Sequence, residues 1–192
     1  FSRYDSILKN QLKGYSVLNY LSSHDDGQPF DKERVKPFEA GTKLLLAPGG
    51  AQMYYGDESI RDLTIEGTVG DATLRSFMNW DDIANNNETK AVLTHYKKLG
   101  KFRRNHPAVG AGKHTMINAD PYIFIRSFEK EDFSDKVIVG LDFSKGLKEI
   151  SVKGLFEDGV ILNDAYSGTE IIVKNGLAKL NTPFEIVLLE EK

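Results

Sequence analysis

The chain has 192 residues, 40% hydrophobic and 28% charged, with a formal net charge of −3, an ordinary globular composition long enough for one large or two small domains. That near-neutral balance offers no concentrated basic face for nucleic acid, and no apolar run approaches the ~20 residues of a membrane helix, so neither is expected as a partner. The absence of cysteine excludes a disulfide framework and thiolate chemistry and leaves the redox compartment open.

In chain order, "YDSILKNQLKG" places Ile7, Leu8 and Leu12 on one helical face, with Gly14 as a stop. "YSVLNYL", residues 15–21, is rich in aromatic and aliphatic residues and predicts a strand. "KPFEAGTKLLLAPGG" predicts a helix with Pro37 in its first turn and a stripe of Phe38, Gly41 and Leu45. Glycine costs ~1 kcal/mol against alanine inside a helix, so Gly41 points to close packing, here expected on a neighbouring strand. "AQMYY" predicts a second short strand, closed by "GDES". After a polar loop, "ETKAVLTHYKKLGKFRRN" is an amphipathic helix with Val92, Tyr96 and Leu99 inward, and "HP" breaks it.

From Pro107 the pattern changes. "HTMINA", "YIFIRSFE", "KVIVGLDF", "LKEISV", "GVILNDAY", "TEIIV", "GLAKL" and "FEIVLLE" are short β-type runs, separated by turn signals such as "ADP", "EDG", "YSG" and "KNG". Short strands with no helix between them predict an antiparallel sandwich or barrel. The earlier half instead alternates helix and strand, the cadence of an α/β fold with parallel strands. Two parallel strands cannot bury both their faces. Leu18, Tyr20, Met53 and Tyr55 are therefore expected to be buried with the sheet edge paired, covered by the rest of a longer parent or by self-association. The start at Phe1, without methionine or a signal-like segment, fits a processed chain or a piece of something longer.

In α/β barrels, catalytic groups follow the carboxyl ends of strands. His24, Asp25 and Asp26 come directly after "VLNYL", and Gly56, Asp57 and Glu58 directly after "QMYY", so acids follow both predicted strands on the same side. Loop acids are common, and position alone does not separate a functional Asp25 from a solvated one.

Four segments carry a resemblance. "NYLSSHDD" resembles the fourth conserved region of the α-amylase family of glycoside hydrolases (family 13), and "PGGAQMYYGDE" resembles that family's eighth barrel strand. "RSFMNWDD" is similar to its Arg-x-Pro-Met-x-Trp-Asp segment, and "HYKKLGKFRRNHPAVGAGK" to its last barrel helix running into a β-domain. Ser23 stands where many members have asparagine, as in neopullulanase-like and maltodextrin-acting enzymes, and Phe77 and Gln52 stand where proline is usual. The resemblance implies an α/β plus all-β chain. Residues 1–106 would be the C-terminal part of a (β/α)8 TIM barrel, about its final two strands and their helices. Residues 107–192 would be an antiparallel Greek-key β-sandwich.

For function, it implies the C-terminal segment of a retaining enzyme that cleaves α-glucosidic bonds of starch, maltodextrins or related α-glucans. Retaining hydrolysis needs two carboxyls about 5 Å apart. The family's nucleophile motif Gly-x-Arg-x-Asp and its acid glutamate do not occur here, so this chain alone is expected to be inactive. Asp25 matches the aspartate that grips sugar hydroxyls and stabilises the transition state, and His24 the histidine bonded to the same sugar. Asp26 is a loop acid or a subsite-lining residue. Arg34 reaches a neighbouring subsite or pairs with Asp31 or Glu33. Tyr54 and Tyr55 are expected to pack and Asp57 and Glu58 to shape a loop, while Trp80 stacks on a sugar or anchors the loop before the last helix. His95, His106 and His114 lack metal-ligand spacing and are expected to be structural, so no metal site is assigned. No cofactor is implied for this segment, and calcium in a parent is not readable from it. Periplasmic, extracellular and cytoplasmic locations are all compatible. Two alternatives stay open: a non-catalytic α-amylase-like binding or assembly subunit, and a stand-alone carbohydrate-binding module.

Overall fold

The computed structural model describes residues 1–192 and divides into two compact units, one of residues 14–103 and one of residues 1–13 with 104–192.

The first unit holds two short parallel strands, β1 (Leu18–Asn19) and β2 (Gly50–Ala51), with Leu18 opposite Gly50 and Asn19 opposite Ala51. The Gly50 N–H donates to the Val17 carbonyl and the Gln52 N–H to that of Asn19, each at 2.8 Å, and the ladder stops there. Gly49 (φ 90°) allows this approach, because a Cβ at that position would meet Val17 Cγ2 at 2.5 Å. Both strands are shorter than their apolar runs predict. A strand extends only as far as a neighbour accepts its ladder, and these two have only each other. For the same reason the chain by itself leaves Leu18, Tyr20, Met53 and Tyr55 61%, 49%, 47% and 42% exposed, so the cover expected for them is not supplied by its own residues.

Helix α2 (Pro37–Leu46) starts at a proline that has no N–H to leave unpaired, and Asp31 accepts the preceding N–H groups of Val35 and Lys36, each at 2.9 Å. Its buried residues include Ala40, Gly41, Leu44 and Leu45, while Phe38, a member of the predicted stripe, is 43% exposed and lies outside the buried face. After β2 come two 3₁₀ turns, Asp57–Ser59 and Gly70–Arg75, and a short helix α3 (Trp80–Asn85) where a polar loop is predicted. Trp80 is 70% exposed and anchors little. Asn79 ties this segment instead, donating to the Ser59 carbonyl at 2.7 Å and accepting the Ser59 hydroxyl at 2.8 Å.

Helix α4 (Asn87–Asn105) buries Val92, Tyr96 and Leu99 as its spacing predicts, with Thr89, His95 and Phe102 beside them. Gly41 packs on the Tyr96 ring of this helix, not on a strand. The Arg103 guanidinium donates to the Leu45 and Ala47 carbonyls at 3.0 and 2.7 Å and also to that of Gly49. It thus serves carbonyls at and beyond the end of α2 that have no intrahelical partner.

The second unit begins at α1 (Ser2–Asn10), resumes with α5 (Pro107–Ala111), and continues through eight strands, one for each predicted β-run. These are β3 (Lys113–Ala119), β4 (Tyr122–Lys130), β5 (Phe133–Leu141), β6 (Gly146–Ser151), β7 (Ile161–Asp164), β8 (Thr169–Ile172), β9 (Leu177–Thr182) and β10 (Val187–Glu191). Six form an antiparallel sheet in the order β3-β4-β5-β10-β7-β8, and β6 pairs with β9 in a second. Along β6 and β9 buried and exposed residues alternate, the period-2 signature of a sheet with one wet face. Ile138 and Val187 of the larger sheet and Ile150 and Leu180 of the smaller share one apolar core. Residues 1–13, placed by the sequence reading with the α/β half, are compact with these strands. The Phe1 ring lies 5.3 Å from that of Phe124, and the Ser2 hydroxyl is 2.8 Å from that of Tyr122.

Candidate functional site

Parallel pairing sets the carboxyl ends of β1 and β2 side by side, so residues 20–27 and 52–59 leave the sheet in the same direction. The Ser22 side chain turns inward and its hydroxyl donates to Asp57 Oδ1 at 2.6 Å, both groups being buried. The next three residues turn outward. Ser23 Oγ donates to Asp25 Oδ1 at 2.9 Å, and His24 Nε2 lies 3.6 Å from Asp25 Oδ2 with both side chains about two-thirds exposed. That gap is within reach of an ion pair but too long for a hydrogen bond. Arg75 Nε donates to the His24 carbonyl at 3.1 Å and holds the turn from its other side. Asp26 Oδ1 accepts the Gln28 N–H at 3.0 Å, a local turn contact that engages one of its oxygens.

Through its side chain Arg34 pairs with neither Asp31 nor Glu33. Its side chain is only 10% exposed, pairs with the buried Asp57 at 2.9 Å, and donates from Nε to the Arg61 carbonyl at 2.9 Å. Asp31, one of its expected partners, is occupied with the backbone ahead of α2. The fold therefore brings His24 and Asp25 together at the surface and directs Arg34 inward.

Arg61 is the residue that sequence reasoning passes over. It is 1% exposed, and its guanidinium donates to the carbonyls of Tyr55, Ser76 and Leu74 at 2.9, 3.2 and 3.3 Å and to the Ser76 hydroxyl. It also stacks on the Tyr55 ring at 3.9 Å. A Cβ at Gly56 (φ 86°) would sit 2.5 Å from Arg61, which is why glycine follows the two tyrosines. The sequence sign is faint: one arginine among acids in a polar loop. Tyr54 and Tyr55 complete the frame, donating to the Leu74 and Ser76 carbonyls at 3.1 and 2.9 Å. Burial, with the Tyr55 hydroxyl beside it, pushes the Tyr54 phenol above its ordinary range. Burial, and then the Asp57 charge, does the same to Tyr96.

Chemically, this is an exposed carboxylate beside an imidazole on a turn whose backbone is pinned from two sides. Such a pair accepts and donates hydrogen bonds to a polyhydroxyl ligand, and the carboxylate favours positive charge developing near it. No cluster of histidines and acids could hold a metal ion. His95 bonds Thr42 and the Phe38 carbonyl, His106 bonds Asp135 and Glu190, and His114 bonds Tyr122 and Ser2, so all three are engaged within the fold.

No protein-family model matches the chain. Among characterised proteins it is similar to the periplasmic alpha-amylase of Escherichia coli (strain K12). The two are 41% identical over 133 residues, which is 69% of this chain and 18% of that protein. The chain thus spans less than a fifth of the length of that relative. Among solved structures it is similar to AmyP in complex with maltose (TM-score 0.66, 20% identity, 96% of this chain and 43% of that one). It is also similar to the alpha-amylase of Geobacillus thermoleovorans complexed with acarbose (TM-score 0.64, 17% identity, 99% and 42%). At these identities the structural likeness is one of fold.

Proposed function

We propose, from the premise that this chain is related to the C-terminal part of the α-amylases of glycoside hydrolase family 13, that it is the closing segment of an enzyme cleaving α-glucosidic bonds in starch, maltodextrins or related glucans. One observation carries the reading: His24 and Asp25 project, exposed and adjacent, from the carboxyl end of β1, in a chain 41% identical over 133 residues to an alpha-amylase. In this reading residues 14–103 are the last part of a (β/α)8 barrel, and the two antiparallel sheets are its Greek-key C-terminal domain. The exposed faces around Leu18, Tyr20, Met53 and Tyr55 are where the remaining barrel packs.

Asp25 is the stabilising carboxylate and not the nucleophile. It hydrogen-bonds sugar hydroxyls, and those bonds strengthen as the oxocarbenium-like transition state develops, so it acts on rate more than on binding. His24 bonds the same sugar. The nucleophile and the general acid come from the preceding part of the parent, and this chain alone releases no sugar.

The test is kinetic. In the longer enzyme, Asp25→Asn should lower kcat by roughly 10²–10³-fold with a smaller change in KM, and His24→Ala should cost less because it leaves the charge in place. Intact kcat with a raised KM would make Asp25 a binding residue only. Reducing-sugar release from starch by the 192-residue chain, above an Asp25→Asn control, would overturn the division of labour.

A further inference from the structure

Asp57 stands at the start of the loop after β2 with its carboxylate in the interior, 1% exposed. Its Oδ1 accepts the Ser22 hydroxyl at 2.6 Å and Arg34 Nη2 at 2.9 Å, and Arg34 Nε in turn donates to the Arg61 carbonyl at 2.9 Å. One carboxylate therefore joins three stretches of backbone: the end of β1, the loop that carries Arg34, and the loop after β2.

Stability alone is a weak reason for such an arrangement. Removing two charges from water is costly, and apolar replacements of similar volume are often as stable. What the pair does supply is a fixed geometry. Arg34 (φ 53°) and Ile60 (φ 51°) both hold left-handed backbone, a strained state for non-glycine residues that persists where surrounding contacts over-determine it.

The position of the pair in the chain gives that geometry a use. Ser22 directly precedes Ser23, whose hydroxyl holds Asp25 Oδ1. Asp25 itself is exposed, so its place is set by where the backbone emerges. The Ser22–Asp57 bond is the buried fixed point behind it.

We infer that Asp57 and Arg34 are positioning residues for the His24–Asp25 turn, their ion pair setting where the Asp25 carboxylate stands toward a bound sugar. This rests on the reading of Asp25 as the group that faces the sugar. Neither residue touches substrate; both act through Ser22 and the backbone it anchors.

The experiment uses the longer enzyme and the variants Asp57→Asn, Arg34→Lys and Ser22→Ala, each alone and combined with Asp25→Asn. Turnover is measured per folded molecule, below each variant's melting temperature. Misplacement by an ångström can cost about 10²-fold in rate, so Asp57→Asn is expected to lower kcat by about that factor and to change KM by less than about threefold. Arg34→Lys keeps the charge and loses the fork, so its loss should be intermediate, and Ser22→Ala should be several-fold. In the Asp25→Asn background the same changes should cost little more, because the group they position is already impaired. A purely structural role would give the same loss in both backgrounds, or lower the melting temperature with turnover intact, and either result overturns the inference. Should Asp57→Asn fail to fold, Ser22→Ala and Arg34→Lys decide by the same coupling. Intact kcat in Asp25→Asn itself is a different failure, because it removes the reading of the site on which the inference stands.

Discussion

Gly41 of α2 lies so close to the Tyr96 ring of α4 that a Cβ at position 41 would stand 2.6 Å from ring carbon Cε2. The ring is 3% exposed and packed on all sides, so it has nowhere to move.

Two glycine substitutions in helices should therefore have opposite signs. Gly41→Ala gains ~1 kcal/mol of helix propensity and incurs ~1–3 kcal/mol of overpacking, for an expected net loss of about 1 kcal/mol. Gly100 in α4 has nothing within 4 Å of its would-be Cβ, so Gly100→Ala should stabilise by roughly 0.5–1 kcal/mol. Urea unfolding midpoints compare the two directly. A rise in both midpoints would show that the Gly41–Tyr96 approach relaxes without cost.

His106 is gripped from both sides. Its Nδ1 is 2.8 Å from Asp135 and its Nε2 is 2.6 Å from Glu190, with all three side chains mostly buried. Asp135 also accepts the Ala108 N–H at 2.8 Å at the start of α5, and Glu190 accepts from Asn163 at 2.7 Å. His106→Ala leaves two facing carboxylates without their shared partner and should destabilise the second unit by about 2–3 kcal/mol. In a thermal-unfolding cycle, Glu190→Gln should cost clearly less once His106 is absent. Simple additivity would mean that the bridge contributes nothing in solution.

Stability should also fall with acid. Burial first, and then the Arg126 charge, depresses His114 from its ordinary 6.5 to about 4; the Phe1 amino group and Lys9 push the same way and Asp5 opposes them. Burial lowers His95 as well. A histidine held neutral in the folded state gains its proton first in the unfolded chain, so the unfolded state binds more protons between the two values. The contribution of His114 is complete above pH 6.5 and is lost as pH falls toward 4. Melting temperatures across that window should decline, and His114→Gln should flatten the slope. An unchanged slope in the variant would assign the acid sensitivity to other groups.

Local pattern was sufficient for the elements that carry their own periodicity. The eight β-runs from His114 to Glu190 alternate or cluster apolar residues between turn signals, and each became a strand. Helix α4 buries Val92, Tyr96 and Leu99 because their spacing of three to four residues puts them on one face whatever lies opposite. That His24 and Asp25 follow the end of a strand is legible in the same way, as polar residues after an apolar run.

Other features lay beyond any local window. The run at residues 15–21 predicts a full strand, yet only Leu18 and Asn19 pair, since ladder length is fixed by the partner and not by the run itself. Gly41 announced a close approach without saying to what, and the answer, Tyr96, lies in another helix. Arg34 had acids beside it in sequence, yet its partner is Asp57, 23 residues away. By itself the sequence determined which residues are apolar, in what period, and where the chain must turn, because those preferences act between near neighbours. Only the tertiary structure decided which charge meets which, since a buried ion pair forms where the folded backbone brings two groups within reach and excludes water from both.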